Sequence, residues 1–404
     1  MKKIFAVLLI AVLVFNLAAC SVVENPEVEI NEEKINEDVT DSNSEFAVDI
    51  FKELNGKDLE NNVFISPFSI STALTMTYNG AVGETKEEME EALRYRNIDI
   101  EEVNNTYKNL IPYLSNVDKD VEIDISNSIW YREGEGIKED FLSTNTDVFD
   151  AKVEGVDFTN PDTVDTINEW IEESTKGKIE KMLDAPLPGD VVMYLINAVY
   201  FKGTWKYEFD EDDTYDGLFT DIDGNEQEVK MMSRQTDSLY GEGEDYKTVK
   251  LTYGNEKVSM YFVLPTGGNI NDLIDALNKE KLDEIKNSVS EQEDFLVQIP
   301  RFKLEYGIKE ISESLKNIGM PKAFSPEADF SNIREGLFIS RVLHKAVVEV
   351  NEQGSEAAAA TVVEMVESAM PEEKNFIANR PFVFFIAEED TGAVLFLGKY
   401  AKVE

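Results

Sequence analysis

One histidine and one cysteine occur in the 404 residues of the chain. With a single imidazole, any Ser-His-Asp or Cys-His machinery has to run through His344. Zinc sites built from several His or Cys ligands are excluded, and one Cys cannot form a disulfide within the chain. Basic residues are scarce as well: 38 Lys and Arg stand against 81 Asp and Glu, a net charge of −43. Gripping nucleic acid needs clustered Lys and Arg that displace counterions. No such cluster is present, so no nucleic-acid partner is expected. The acidity reads as a solvated, self-repelling surface. Hydrophobic residues at 42% suffice for a sizeable core, so the charge does not imply disorder overall.

What is present begins with an export signal. Met1-Lys2-Lys3 is a positive start and Ile4 to Phe15 is an unbroken apolar run, too short and wrongly flanked for a membrane span. Leu17-Ala18-Ala19-Cys20 resembles the lipobox of bacterial lipoproteins, which implies removal of residues 1–19 and lipidation of Cys20. Several acyl chains would anchor far better than one, at about 0.8 kcal/mol per buried CH₂. Residues 20–43, rich in Glu, Asn, Asp and Ser without hydrophobic period, read as a flexible acidic tether. From Ser44 to Glu404 no linker or repeat interrupts the pattern, and one large domain is expected.

Phe46, Ala47, Ile50, Phe51 and Leu54 form a helical stripe that Gly56 should end. Thr85 and Glu88 suggest a capping box before Met89, Ala92 and Leu93. Val164, Ile167 and Ile171 share a helical face closed by Gly177, and a further helix is expected over 308–317, closed by Gly319. Strands are expected over 191–201, 257–264, 295–304, 346–350, 381–387 and 393–400. Several are continuous apolar runs, as in sheets covered on both faces. Helices come mainly first and strands mainly last, which argues an α+β fold with large, mostly antiparallel sheets.

The stretch between Val350 and Pro381 is too long for an ordinary loop, and such loops are usually functional or disordered. Ser355-Glu356-Ala357-Ala358-Ala359-Ala360-Thr361-Val362-Val363 is small, weakly polar and then β-branched. Four alanines favour helix. An edge strand is a second reading, and a segment able to be either loop or strand is a third. At period two, Ser355, Ala357, Ala359, Thr361 and Val363 share one face, all small enough to slide between existing strands.

Residues Asn351-Glu352-Gln353-Gly354-Ser355-Glu356-Ala357-Ala358-Ala359-Ala360-Thr361 resemble the hinge of an inhibitory serpin. His344-Lys345-Ala346-Val347 before them and Asn379-Arg380-Pro381-Phe382-Val383-Phe384 after them are also serpin-like. So are Asn62-Val63-Phe64-Ile65-Ser66-Pro67-Phe68-Ser69-Ile70, Asn197-Ala198-Val199-Tyr200-Phe201-Lys202-Gly203-Thr204-Trp205, Val229-Lys230-Met231-Met232 and Ile299-Pro300-Arg301-Phe302. The resemblance covers 44–404. It implies three β-sheets, eight or nine helices and an exposed reactive loop at about 352–378. It implies a hinge from Gly354 to Thr361, and a shutter of Ser66, Ser69, Asn197 and His344 under the sheet opening. Trp205 resembles the breach residue, where insertion starts. His344, beside the apolar run 346–350, otherwise reads as a buried, hydrogen-bonded core residue, and Trp205 as core.

The family's usual spacing from Glu352 puts the reactive bond between Ser368 and Ala369, inside a window from Val363 to Met370. A Ser–Ala bond suits elastase-like or subtilisin-like proteases. A slip of one residue would make Glu367 the determinant and a glutamyl-specific protease the target. No Lys or Arg lies between Gly354 and Pro371, which argues against trypsin-like targets. Glu356 is the only charged hinge residue, and its parity points it outward, which favours an inhibitor over a non-inhibitory member. The resemblance thus implies a single-use inhibitor forming a covalent acyl complex with serine proteases. It implies no enzymatic activity and no metal or other cofactor. An exported, lipid-anchored monomer at the outer face of the cell membrane, or otherwise extracellular, is expected. A non-inhibitory binding or scaffold serpin, or an inhibitor of cysteine proteases, stays open. A solute-binding lipoprotein would need regular strand–helix alternation, which is missing.

Overall fold

In the computed structural model, residues 31–189, 191–355 and 375–404 are described. The expected apolar stripe lies on α1 (Glu37–Lys57), where Phe46, Ala47, Ile50, Phe51 and Leu54 are all buried. The helix starts at Glu37, not near Ser44. Asn36 caps it by accepting the Asp38 amide at 2.7 Å, and Val39 and Thr40 are already buried. The tether expected over 20–43 therefore gives up 31–43 to the folded body. Its polar residues misled because they are buried hydrogen-bonding groups. Ser42 Oγ donates to Arg94 O at 2.8 Å, and Asn43 Oδ1 accepts from the Tyr95 and Tyr107 hydroxyls at 3.1 Å each. Gly56 does not end α1, which runs one residue further.

After β1 (Val63–Ile65) comes α2 (Pro67–Tyr78), buried on nearly all sides. Its small residues let it approach the sheets closely, and its hydroxyls bond back to its own carbonyls, Thr72 to Phe68 O and Thr75 to Ser71 O at 2.7 Å each. The next helix, α3 (Gly83–Ala92), is preceded by Val82, so Thr85 is not its cap. Thr85 Oγ1 instead accepts from the Asp329 amide at 2.9 Å and Glu88 from the Lys322 amide at 2.7 Å. The pair ties down a distant segment that needed acceptors. There follow α4 (Ile100–Ser115), β2 (Val121–Arg132), α5 (Glu139–Phe149), β3 (Lys152–Val156), α6 (Asp162–Ser174) and β4 (Met193–Thr204). Val164, Ile167 and Ile171 of α6 pack with Trp130 and Ile196 in a second small core.

The C-terminal half supplies β5 (Tyr215–Thr220), β6 (Glu226–Glu242), β7 (Tyr246–Thr252), β8 (Val258–Pro265), α7 (Ile270–Ala276), α8 (Lys279–Ser288), β9 (Ser290–Pro300) and β10 (Phe302–Glu310). Then come α9 (Ser312–Asn317), β11 (Leu343–Asn351), β12 (Gly354–Ser355), β13 (Asn375–Ile377), β14 (Phe382–Glu388) and β15 (Val394–Tyr400). The strand expected over 295–304 is thus two strands, β9 and β10, divided at Arg301 and belonging to different sheets. The helix expected over 308–317 shortens to α9. Pairing of Lys309 with His344 and Glu310 with Leu343, past a bulge, holds those residues in β10.

Among the described residues six strands form one sheet in the order β10–β11–β12–β4–β2–β3. The other network runs β1–β15–β14–β8–β7–β6–β9–β13, with β5 on β6. A register shift between Thr236 and Ser238 divides β6 into a part that pairs with β5 and a part that pairs with β7. Two of the three sheets implied by the resemblance are therefore joined through β6. Among the described strands only β2/β3 and β9/β13 pair in parallel. Every residue of β8, β14 and β15 is buried, as their continuous apolar runs require.

Starting the chain at Ser44 instead of Asn31 would remove Val39 and the α1 cap. Burial of one such side chain is worth about 1.5–3 kcal/mol, so the thermal unfolding midpoint should fall by several degrees. An unchanged midpoint would show that 31–43 add nothing to the body.

Candidate functional site: the seam between β4 and β11

The chain turns from β11 into β12 over Asn351–Gly354. Asn351 Oδ1 accepts the Gln353 and Gly354 amides at 3.1 and 3.2 Å, closing the turn on itself. Three successive carbonyls are then held by one neighbouring segment. Trp205 Nε1 donates to Asn351 O, the Phe209 amide to Glu352 O and the Trp205 amide to Gln353 O, each at 2.9 Å. The Trp205 ring lies stacked on Tyr253, centroids 4.3 Å apart. Between Asn351 and Gln353, the Glu352 carboxylate is almost wholly buried. Arg301 Nη2 is 2.6 Å from it and Thr214 Oγ1 donates to it at 2.7 Å. Burial alone would raise the Glu352 carboxyl, but these hydrogen bonds outweigh it and hold it below the usual range. Removing one partner of such a pair typically costs 3–5 kcal/mol, roughly, because a buried charge is left alone.

The described residues of β12, Gly354 and Ser355, are hydrogen-bonded on both sides. Gly354 pairs with Asn351 of β11 and Thr204 of β4, and Ser355 with Val350 and Gly203. Gly354 has φ +153°, and a Cβ there would stand 1.9 Å from Gly203 O, so only glycine fits. Gly203 in turn leaves room for the Tyr253 ring, 2.6 Å from where its Cβ would be. Ser355 faces inward, its hydroxyl 2.8 Å from that of buried Tyr253. Among the described residues, β4 and β11 are joined in the ladder only through β12.

Further along the same seam the structure brings together Ser66, Ser69, Asn197 and His344. Ser66 caps α2: its Oγ accepts the Ser69 amide at 3.2 Å and donates to Leu395 O of β15 at 2.8 Å. The Ser66 amide donates to His344 Nε2 on β11 at 3.2 Å. Ser69 Oγ reaches Asn197 O on β4 at 3.5 Å, the longest link. Asn197 Nδ2 donates to Asn127 Oδ1 on β2 at 2.5 Å, and Asn127 Nδ2 to Phe149 O at 2.7 Å. One polar chain thus runs from β11 through the start of α2 to β4 and β2. With Nε2 as acceptor, His344 is neutral and carries its proton on Nδ1. Burial pushes its pKa down to about 4. A cavity of about 160 Å³ lies alongside, walled by Ile70 and Leu74 of α2, Met193–Asn197 and Leu343–Lys345.

Trp205 and the first two residues expected to form a hinge, Gly354 and Ser355, therefore meet at one end of the seam, and Ser66, Ser69, Asn197 and His344 meet midway along it. Glu356, Ala357, Ala358, Ala359, Ala360, Thr361, Ser368, Ala369 and Cys20 lie outside the described residues. Sequence reading singled out no role for Tyr253, Thr214 or Asn127. Arg301 was noticed only inside a motif. Each acts through a partner far away in the chain, and no local pattern announces that. Among the described residues no group of three His, Cys, Asp or Glu is placed to hold a metal, and no helix is long and apolar enough to cross a membrane.

Comparison with known proteins gives a family model described as serpin (serine protease inhibitor), matching residues 41–403. The leukocyte elastase inhibitor of Bos taurus is 34% identical over 90% of this chain and 99% of its own. The thermophilic serpin tengpin in its native state superposes with a TM-score of 0.80 at 32% identity, covering 93% of this chain and 95% of its own. A thyroxine-binding globulin in complex with thyroxine gives 0.81 at 26% identity, covering 90% and 99%.

The neutral state of His344 makes the fold acid-sensitive in a defined window. Its folded pKa lies below the unfolded value, so the unfolded chain takes up the proton first. The stabilisation is complete above about pH 6.5 and is lost as pH falls toward about 4, on the order of 3 kcal/mol. Denaturant unfolding across that range should show the slope, and His344→Asn should lack that part of it. Parallel pH profiles would rule it out.

Proposed function

The chain belongs to the serpin family, and from that membership we propose that it inhibits serine proteases as a single-use substrate rather than acting as an enzyme. The observation that carries this is the pairing of Gly354 and Ser355 on both sides, with β11 and with β4, at the mouth of a seam that is otherwise unjoined among the described residues. Its register can be continued. Residue 356 would fall opposite Lys202 and Glu349, 357 opposite Phe201 and Val348, and 361 opposite Asn197 and His344. Odd-numbered residues then face inward, as Ser355 does, over buried Val348 and Ala346. Glu356 falls on the outer side, where Lys202 is exposed. Ala357 and Ala359 would meet the packed core, which accepts only small side chains.

The protease serine attacks the carbonyl of Ser368. An ester bond forms to that carbon, the C–N bond breaks, and the amine of Ala369 leaves with a proton. The freed loop enters the seam as a full strand. Each residue gains ladder hydrogen bonds worth roughly 0.5–1.5 kcal/mol net. The total is on the order of 10 kcal/mol, comparable with the stability of a whole domain. The attached protease is dragged with the loop, and a catalytic geometry displaced by about 1 Å can lose 100-fold in rate, so the acyl-enzyme persists. The uncleaved protein is accordingly held by a barrier rather than by lowest free energy. The cavity beside His344 is space that inward side chains of the new strand would use.

The Ser368–Ala369 bond fits elastase-like or subtilisin-like proteases, and similarity to a leukocyte elastase inhibitor supports that choice. Mixing the protein with one protease of each kind, followed by denaturing gels and mass analysis, should give a complex that survives denaturant and a released fragment starting at Ala369. Cleavage without complex would favour a non-inhibitory member, a reading to which similarity to thyroxine-binding globulin lends weight. Ala357→Arg should keep the fold but turn inhibitor into substrate, lowering the complex-to-cleavage ratio at least tenfold. An undiminished complex would overturn insertion.

We further propose that residues 1–19 direct export and that lipidated Cys20 holds the protein at the outer face of the cell membrane or otherwise outside the cell. Cys20→Ser should move it from the detergent-soluble membrane fraction to the aqueous one. Unaltered membrane retention would overturn the anchor.

A further inference from the structure

The described chain begins along α4, and its contacts give it a direction. The Asn36 amide donates to Thr106 Oγ1 at 3.2 Å and the Asn31 amide to Asn109 Oδ1 at 3.2 Å. Followed backwards from Asn36, the chain therefore climbs α4 toward Ser115. Ser115 leads through Asp118 to β2, which starts at Val121 opposite Gly203. That is the end of the six-stranded sheet where β12 enters. An electrostatic contact agrees. The Lys257 ammonium is raised first by its hydrogen bond to Asp390 and also by the carboxylate of Glu32. Lys257 adjoins Asn255, whose amide donates to Asp118 Oδ2 at 2.5 Å, and Gly254, whose amide donates to Thr204 O at 3.0 Å. Thr204 is the partner of Gly354.

Both described ends of the reactive loop lie at this end too. Ser355 is one. Asn375, the other, pairs with Leu296 of β9. Just past the end of β9 come Arg301, which pairs with Glu352, and Phe302 of β10, opposite Val350. Fully extended, the residues between Cys20 and Asn31 span at most roughly 40 Å, less than the 20–43 tether read from composition would allow.

We infer that the lipid anchor and the reactive loop leave the molecule at the same end, so that the anchored inhibitor holds its loop toward the membrane and suits proteases working close to that surface. The inference rests on the lipid-anchor reading and adds an orientation to it. A bulky protease arriving from bulk solution meets the bilayer before it meets the loop, whereas one seated near the surface is within the tether's reach.

The test uses mature protein, residues 20–404, coupled through Cys20 to a maleimide lipid. Chemical attachment makes the result independent of whether cells lipidate Cys20, which the fractionation of Cys20→Ser reads separately. A donor dye is placed by click chemistry at position 119 or at position 133, replacing exposed Lys119 or Glu133 at the two ends of β2. These ends are about 35–40 Å apart along the strand. The protein is bound to phosphatidylethanolamine–phosphatidylglycerol vesicles carrying an acceptor lipid. Energy transfer from position 119 should exceed that from position 133 at least twofold. Equal transfer, or more from 133, would overturn the orientation. In a second arm, about twenty Gly/Ser residues inserted after Ser21 should speed loop cleavage by a soluble subtilisin-like protease at least threefold on vesicles and leave it unchanged without them. Cleavage needs access and not trapping, so this readout stands even if inhibition fails. No acceleration on vesicles would overturn the membrane-directed placement of the loop.

Discussion

The grip of one segment on three consecutive carbonyls organises the molecule. Trp205 and Phe209, just past the end of β4, hold Asn351, Glu352 and Gln353, at the end of β11 and just beyond it. The ion pair of buried Glu352 with half-buried Arg301 ties the same turn to the junction of β9 and β10. Two halves of a sheet that share no direct ladder among the described residues are thereby kept in register. An ion pair with one partner buried is weak as a source of stability, but it is strict about geometry, and strict geometry is what a strand entering between two others demands.

Below that grip the seam runs over polar groups, which is unusual for the middle of a sheet. Ser66, Ser69, Asn197 and His344 occupy positions where apolar side chains would pack with less risk. A buried hydroxyl or imidazole is tolerable only when its partners are present, and here they come from β2, β4, β11, β15 and α2 together. Such a network holds strands at defined positions with a specificity that an apolar contact lacks. The neutral state of His344 belongs to this balance, because a charged imidazole could not accept the Ser66 amide.

Legibility varied with how local the cause was. β8, β14 and β15 could be read directly, because both faces are covered and nearly every residue is apolar. The helix α6 was legible from Val164, Ile167 and Ile171. Polar residues of α1 hid its first two turns, since Thr40, Ser42 and Asn43 serve as buried hydrogen-bonding groups. The run 295–304 looked like one strand because hydrophobic pattern does not register a change of partner sheet at Arg301. Thr85 and Glu88 had the spacing of a cap but bond to 322 and 329. The residues along the seam were legible only through resemblance to a family. Nothing in the local pattern links His344 to Ser66, across most of the chain.

By itself the sequence determined what depends on composition and spacing: an acidic surface, no internal disulfide, an α+β core, and a run from 355 to 363 whose alternate residues are all small. Tertiary structure alone decided how the chain enters that run. The inward face of Ser355 is set by Tyr253, the φ of Gly354 by the Gly203 carbonyl, and the climb of residues 31–36 by Thr106 and Asn109 on α4. The reason is range. Side-chain size and charge belong to each residue, whereas the direction a side chain faces belongs to partners that only folding brings within hydrogen-bonding distance.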